Sequence, residues 1–211
     1  MQERVLAVAR TVTAEDYAFT RFVRTERMES GRVTQRTELE RYDPAKPLEQ
    51  RWTLVAVDGR APTAEELTKH ARDAARRRVA HYGRIVNYFG APATTSINAK
   101  GRTVFRFTSL PPESVVLSGN DVSANVICEA AVNTGGAVPF IDEVRFTLTK
   151  PMRVKVVARI ERGEVISRFR LMPDGKPVPV EHSSDVYGSL MGRQGRIKSV
   201  LTYTEHRAAR P

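Results

Sequence analysis

Four consecutive residues, His182 to Asp185, supply the side-chain types of a nucleophilic triad. A serine nucleophile needs a histidine base that contacts both the serine and an orienting carboxylate. The flanking residues predict a strand, in which neighbouring side chains point to opposite faces. His182 and Ser184 would then face one way and Ser183 and Asp185 the other, so this segment cannot assemble a triad. We expect no catalytic residue here and a protein that is not an enzyme.

A metal or redox centre is not predicted either. His70 and His81 share one face of a predicted helix but are about three turns, or roughly 16 Å, apart, which is too far to ligate one ion. Both are expected to be surface or packing residues. Cys128 is the only cysteine, which excludes an internal disulfide, and its apolar surroundings predict a buried thiol. No cofactor is therefore expected.

The charge balance points to acidic partners. The chain has 34 Lys and Arg against 24 Asp and Glu, a formal net charge of +10. Such an excess favours nucleic acid, an anionic lipid surface or an acidic protein. No apolar run approaches the roughly 18 residues of a membrane-spanning helix. A chain of 211 residues, 41% of them hydrophobic, can bury a sizeable core as one large domain or two small ones. Because the predicted strands follow one another without interruption on both sides of a single long helix, we expect one domain over residues 1–211.

The first part of the chain predicts a short helix followed by three strands. Residues 3–16 have the amphipathic pattern of a helix. Residues 17–42 read as extended strands that turn back at Ser30-Gly31, which predicts a hairpin. Residues 51–57 predict a third strand, which Asp58-Gly59 would end.

A long helix is predicted over residues 63–89. Thr63 and Glu66 have the spacing of a capping box, in which each side chain binds the other residue's backbone amide. The first half of this helix is mostly polar and should be solvated. Its second half should pack on the sheet, because it carries a helical stripe of apolar side chains: Val79, Tyr82, Ile85, Val86 and Phe89.

Residues 153–172 predict a hairpin that turns at Arg162-Gly163. Closing the hairpin there gives it one apolar and one basic face. The apolar face would contain Val154, Val156, Ala158, Ile160, Val165, Ser167, Phe169 and Leu171. The basic face would contain Arg153, Lys155, Arg159, Arg168 and Arg170. Long strands follow to the end of the chain, so we predict nine to eleven strands and one or two helices. The fold class is α+β, with a large curled antiparallel sheet.

Two segments resemble bacterial proteins of the LolA-like lipoprotein-carrier superfamily. They are RYDPAKPLEQRWTLVAVDGRAPTAEEL, residues 41–67, and RFTLTKPMRVKVVARIERGEVISRFRL, residues 145–171. The resemblance implies an incomplete, strongly curved antiparallel barrel whose concave apolar side faces helices that act as a plug or lid. It also implies a periplasmic carrier of acylated lipoproteins or other lipids. A periplasmic protein requires an export signal in place of Met1, whereas a native start at Met1 would keep the chain in the cytoplasm.

The leading hypothesis is therefore a non-enzymatic periplasmic protein that holds an acyl chain, lipid or lipoprotein between the sheet and helix 63–89. An outer-membrane or lipoprotein partner would receive the cargo. The expected ligand-binding residues are Trp52, Phe89, Val154, Val156, Ile160, Val165, Phe169 and Leu171. The alternative for each of them is that it only packs in the core.

A rival hypothesis is an interaction module that binds nucleic acid or an acidic partner through the basic face. Binding of that kind weakens steeply with salt. The basic face lacks the interleaved aromatic residues of a single-strand-binding platform, since Phe169 belongs to the apolar face. Nucleic acid is therefore the less favoured partner.

Overall fold

A computed structural model of the chain describes residues 1–74, 77, 79–89, 93–117, 120–136, 138–154 and 158–209. Its helices are α1, Gln2–Arg10, and α2, Ala64–Ala74, with short 3-10 helices at Leu48–Gln50, Tyr82–Asn87 and Ser123–Asn125. The strands of the first part are β1, Tyr17–Glu29; β2, Arg32–Tyr42; β3, Trp52–Val57; β4, Ala93–Ile97; β5, Thr103–Phe107; β6, Val116–Leu117; and β7, Asn120–Asp121. Those of the second part are β8, Val126–Asn133; β9, Phe140–Leu148; β10, Met152–Val154; β11, Ala158–Leu171; β12, Pro177–Leu190; and β13, Arg193–Ala208.

Eleven of these strands form one antiparallel sheet. Its order is β3-β2-β1-β13-β12-β11-β9-β8-β5-β4, and β10 pairs with one end of β11. The strands β3 and β4 are its two edges, so the sheet is not closed into a barrel. The predicted α+β class with a large antiparallel sheet is confirmed. The strand count exceeds the predicted nine to eleven because β6 and β7 form a separate two-stranded ladder.

The hairpin of β1 and β2 turns where the sequence predicted. Ser30 and Gly31 have φ angles of 50° and 82°, as the two central residues of a type I′ turn require. This turn fixes the register of the whole hairpin and sets Arg21 directly opposite Glu40. The capping box is also confirmed, since the amide of Thr63 donates to Glu66 at 2.8 Å and the amide of Glu66 to the Thr63 hydroxyl at 3.3 Å.

The predicted hairpin at Arg162-Gly163 is wrong. Both residues lie inside the continuous strand β11, where Arg162 pairs with Tyr187 and Gly163 with Val186. Neither residue has a positive φ. The strand continues through this point because β12 pairs along its whole length, with an irregularity between Ile160 and Arg162, and β9 pairs with it from Glu164 onward. Pairing on both sides satisfies more backbone groups than a hairpin with one neighbour.

One face of the sheet, which we call the covered face, packs against the helices through two separate apolar clusters. The first, the α1 cluster, contains Val5, Ala9, Tyr82, Ile85, Phe89, Phe105, Phe107, Cys128, Val144 and other buried side chains. The second, the aromatic cluster, lies at the β1–β3 end and contains Phe19, Tyr42, Trp52, Ala74 and Tyr203. The covered face therefore has two cores rather than one.

The chain between Ala64 and Phe89 connects the two cores, and we call its described residues, 64–74, 77 and 79–89, the covering segment. The single helix predicted there is wrong. The helix α2 ends at Ala74, and His81 is extended, with φ −141° and ψ 152°. The predicted difference between a solvated first half and a packed second half is confirmed. The helix α2 buries only His70 and Ala74, whereas Tyr82 and Ile85 are fully buried.

Tertiary contacts explain why the helix breaks. The buried hydroxyl of Tyr82 accepts a hydrogen bond of 2.8 Å from the amide of Ile141 in β9. At the next residue, Gly83, the chain passes so close to the end of α1 that an added Cβ would lie 2.2 Å from the Val12 carbonyl oxygen. Packing of residues 82–89 between α1 and the sheet thus overrides the helical propensity of the sequence.

We expect Gly83→Ala to lower the free energy of unfolding by about 1–3 kcal/mol, because the new methyl group clashes with backbone rather than with a mobile side chain. Gly163→Ala is the control, since a Cβ there meets its nearest atoms at 3.8 and 3.9 Å. It should change stability by less than about 1 kcal/mol. Urea unfolding of both variants measures the difference. Equal effects would contradict the close approach at Gly83.

Candidate ligand-binding cleft

An open cleft of about 680 Å³ separates the aromatic cluster from residues 79–87 of the covering segment. This volume is within the range of small-molecule sites. Its apolar lining comes from Tyr42, Leu48, Trp52, Ala74, Val79 and Val86, and its cationic lining from Arg51, Arg77 and Arg84. The cleft exists because the covering segment is held at its two ends by different cores and crosses the space between them.

Aromatic rings form the wall of the cleft on the sheet side. Trp52 and Tyr42 are directly opposite each other on β3 and β2, with ring centroids 5.0 Å apart. Phe19 stacks on Tyr42 at 5.0 Å and meets the edge of Trp52 at 5.8 Å. These contacts leave only 5% of the Trp52 surface and 3% of the Tyr42 surface exposed, so each ring contributes a small part of its apolar surface to the cleft.

Behind this wall, Glu40 is a fully buried carboxylate with three basic partners. One carboxylate oxygen accepts from Arg21, whose Nε and Nη2 atoms lie at 2.8 and 2.6 Å. The other oxygen contacts Nε2 of His70 at 2.9 Å and also binds Arg77. His70 and Arg77 belong to the covering segment, so Glu40 ties that segment to β2.

Glu40 is charged despite its burial. Burial alone would raise the pKa of this carboxyl, but the His70 hydrogen bond and the positive charges of Arg21 and Arg77 lower it to about 2. Arg21 also lies over the Trp52 ring, 4.0 Å from its centroid, in a cation–π contact. The charged cluster thus holds both the covering segment and the aromatic wall.

The structure does not bring the eight predicted ligand-binding residues together. Trp52 lines the cleft, whereas Phe89 is buried against Phe105 and Phe107. Three others, Val165, Phe169 and Leu171, are partly buried against the α1 cluster. Ile160 is at the opposite end of β11 from Leu171 because the predicted hairpin does not form. Val156 lies outside the described residues, and so does the side chain of Val154.

The five residues of the predicted basic face are also dispersed. Arg159 and Arg168 lie on one strand, about 30 Å apart at strand spacing, instead of sharing a hairpin face. Arg153 is opposite Arg159, and Arg170 is exposed, while Lys155 is outside the described residues. Arg168 is paired with Glu143, at 3.1 Å, and with Glu181. Part of the expected positive charge is therefore neutralised locally.

His182 and Asp185 have different partners, as expected for side chains on opposite faces of a strand. His182 hydrogen-bonds the Ser167 hydroxyl at 2.9 Å, while Asp185 pairs with Arg196. Cys128 is fully buried, and burial raises the pKa of its thiol to about 12.

Within the part of the chain that the structure describes, no group of three or more His, Cys, Asp or Glu residues could hold a metal ion. Nor does any described helix have the length and apolarity to cross a membrane.

The charged cluster around Glu40 was not predicted, although the sequence contains its signal. Tyr17, Phe19 and Arg21 occupy alternate positions of β1 and therefore share a face. An arginine on an apolar face requires a carboxylate, and the predicted turn at Ser30-Gly31 sets Glu40 opposite it. His70 carries no such signal, because its position relative to β2 depends on the tertiary docking of α2.

Comparisons with known proteins give a likeness of fold only. The crystal structure of a LolA superfamily protein, NE2245 from Nitrosomonas europaea, is similar at a TM-score of 0.40 and 12% sequence identity. The similarity covers 100% of this chain and 94% of that one. No family model and no curated protein matches the chain. At this score the likeness carries no functional inference, and membership of the superfamily stays a prediction.

Replacing the central carboxylate should destabilise the fold strongly. We expect Glu40→Gln to lower the free energy of unfolding by about 3–5 kcal/mol, because Arg21 loses its charged partner in a buried site. The control is Glu129→Gln, which removes a solvent-exposed pair with Arg106 and should cost less than about 1 kcal/mol. Urea unfolding at pH 7 measures both. Similar values for the two variants would show that the Glu40 cluster contributes no more than a surface pair.

The pH dependence of stability gives a second test of the same carboxylate. Because the pKa of Glu40 is lower in the folded protein, its contribution is present above the unfolded value of about 4.3 and is lost as the pH falls towards 2. The stability difference between the wild type and Glu40→Gln should therefore shrink over this range. Urea unfolding at pH 7, 4 and 3 measures it. A difference that is constant with pH would contradict a charged Glu40.

Proposed function

We propose that this protein binds a hydrocarbon chain, such as the acyl chain of a lipid or lipoprotein, in the cleft beside Trp52. The observation that carries the proposal is the open space between the aromatic cluster and residues 79–87, which described side chains line but do not fill. Burial of apolar surface contributes about 25 cal/mol per Å². A chain of several methylene groups can gain much of its affinity from such a surface.

The apolar part of the lining supports binding of a hydrocarbon chain. Trp52 and Tyr42, although largely buried, contribute aromatic surface on one side, and Val79 and Val86 contribute aliphatic surface on the other. Leu48 lies at the rim with 53% of its surface exposed. An exposed leucine beside an apolar cleft is a position where a ligand can cover surface that the protein leaves in water.

We further propose that the bound chain is carried rather than chemically changed. The periplasm as the place of action, and an outer-membrane or lipoprotein partner as the recipient, follow from the resemblance of residues 41–67 and 145–171 to lipoprotein carriers. The ion pairs of Arg168 favour this proposal over a basic nucleic-acid surface, because they reduce the charge available to phosphates.

Chain-length dependence tests the proposed function. Trp52 is the only tryptophan and lines the cleft, so its fluorescence should change saturably when 1-octanol, 1-decanol or 1-dodecanol binds. Affinity should rise about fourfold for each added methylene group, since each contributes about 0.8 kcal/mol. A fluorescence response that does not saturate, or an affinity independent of chain length, would contradict hydrocarbon binding.

A matched pair of variants locates the site. Leu48→Asp should weaken 1-dodecanol binding about tenfold, because it places a charge where the chain would be covered. Leu190→Asp is the control, since Leu190 is similarly exposed, at 57%, and does not line the cleft. It should change the affinity less than about twofold. Equal losses in both variants would place binding elsewhere.

A further inference from the structure

The cleft is cationic as well as apolar. Arg51, Arg77 and Arg84 line it, whereas the only carboxylate on its described lining is Glu113. Arg51 is already paired with Glu15 at 2.7 Å. Glu113 is exposed and forms no ion pair with any described residue. The charges of Arg77 and Arg84 therefore decide which ligands the cleft favours.

Arg77 shares its partner with a second arginine. Arg21 and Arg77 carry two positive charges and Glu40 one negative charge, which leaves one positive charge uncompensated when His70 is not counted. The Nε atom of Arg77 is buried and has no hydrogen-bond partner among the described residues. A buried donor without an acceptor is unfavourable, so the ion pair with Glu40 leaves part of the hydrogen-bonding capacity of this guanidinium unused.

Arg84 is partly buried and makes no ion pair within the described ranges. Arg84 lies near two histidines, His81 of the covering segment and His182 of β12. Burial lowers the pKa of His81 and of His182, and the nearby positive charge of Arg84 lowers both further. Glu113 lines the same cleft, but Arg84 forms no ion pair with it, so the guanidinium charge is not neutralised by a direct contact within the described residues.

We propose that the natural ligand is an anionic amphiphile, whose carboxylate or phosphate head group binds Arg84 and Arg77 while its hydrocarbon chain lies against Trp52, Val79 and Val86. The inference rests on the proposed function and adds the chemical class of the ligand to it. Guanidinium groups suit carboxylates and phosphates because they donate several hydrogen bonds in one plane. An uncharged lipid would leave both arginines as they are.

The two parts of the ligand can be tested separately. At pH 7 the protein should bind dodecanoate about tenfold more tightly than 1-dodecanol, which has the same chain length, because a charge-assisted hydrogen bond adds to the hydrocarbon contact. Dodecyl phosphate should show a similar preference. Inorganic phosphate should bind far more weakly than dodecyl phosphate, since it lacks the chain. Trp52 fluorescence measures each affinity.

Variants of Arg84 assign the preference to the cleft. Arg84→Gln should reduce the preference for dodecanoate to less than about threefold and leave the affinity for 1-dodecanol within about twofold of the wild type. Arg84→Lys should retain most of the preference, which shows that the charge matters and that substitution at this position does not unfold the protein. Arg159→Gln removes the same charge from an exposed position that does not line the cleft and should change nothing.

The outcomes distinguish this inference from the proposed function. Equal binding of dodecanoate and 1-dodecanol, or an undiminished preference in Arg84→Gln, would overturn the anionic head group and leave hydrocarbon binding intact. Equal binding of inorganic phosphate and dodecyl phosphate would overturn the amphiphile. Saturable binding of neither dodecanoate nor 1-dodecanol would overturn both proposals.

Discussion

A single buried carboxylate determines where the covering segment can lie. Glu40 is fully buried, and its charge is maintained by Arg21 on the neighbouring strand and by His70 and Arg77 on the covering segment. Because an unpaired charge in such a site is costly, α2 must dock where its basic residues reach Glu40. We infer that this ion-pair cluster selects one docking position of α2, whether or not apolar residues in its place would give equal stability.

The other end of the covering segment is fixed by a different kind of interaction. Tyr82, Ile85 and Phe89 are buried among apolar side chains of α1, β5, β8 and β9. Polar contacts therefore hold the α2 end of the covering segment, and apolar packing holds residues 82–89. The chain must cross the space between the two cores. The cleft beside Trp52 is the consequence of this separation. Its mixed lining has the same origin, because the sheet contributes the aromatic rings and the covering segment contributes Val79, Val86, Arg77 and Arg84.

Local signals in the sequence were sufficient for much of the fold. The turn at Ser30-Gly31 and the capping box at Thr63 depend on a few neighbouring residues, and both form as predicted. Arg162-Gly163 has the same X-Gly pattern as a hairpin turn. It forms no turn because β11 pairs with β9 and β12, and the local sequence does not indicate these long-range pairings. The break after Ala74 has a similar cause, because it depends on contacts of Tyr82 and Gly83 with distant residues.

The candidate site was less predictable than the fold for the same reason. Trp52 could be singled out as an aromatic residue on a strand, and it lines the cleft. Leu48, Val79 and Arg84 reach the cleft only through the path of the chain between the two cores. The residues of β11 that were expected to bind the ligand, such as Phe169, instead pack on the α1 cluster, since Phe169 meets the edge of the Tyr82 ring at 5.2 Å.

The most direct test of the cleft as a ligand site is to map a bound chain by NMR. A stearate that carries a nitroxide on its hydrocarbon chain should broaden the amide signals of Leu48, Trp52, Val79 and Val86 and leave those of the exposed residues Ile97 and Leu190 sharp. Reduction of the nitroxide should restore all signals. Broadening centred on Ile97 or Leu190, or no broadening at the cleft under saturating ligand, would contradict the account.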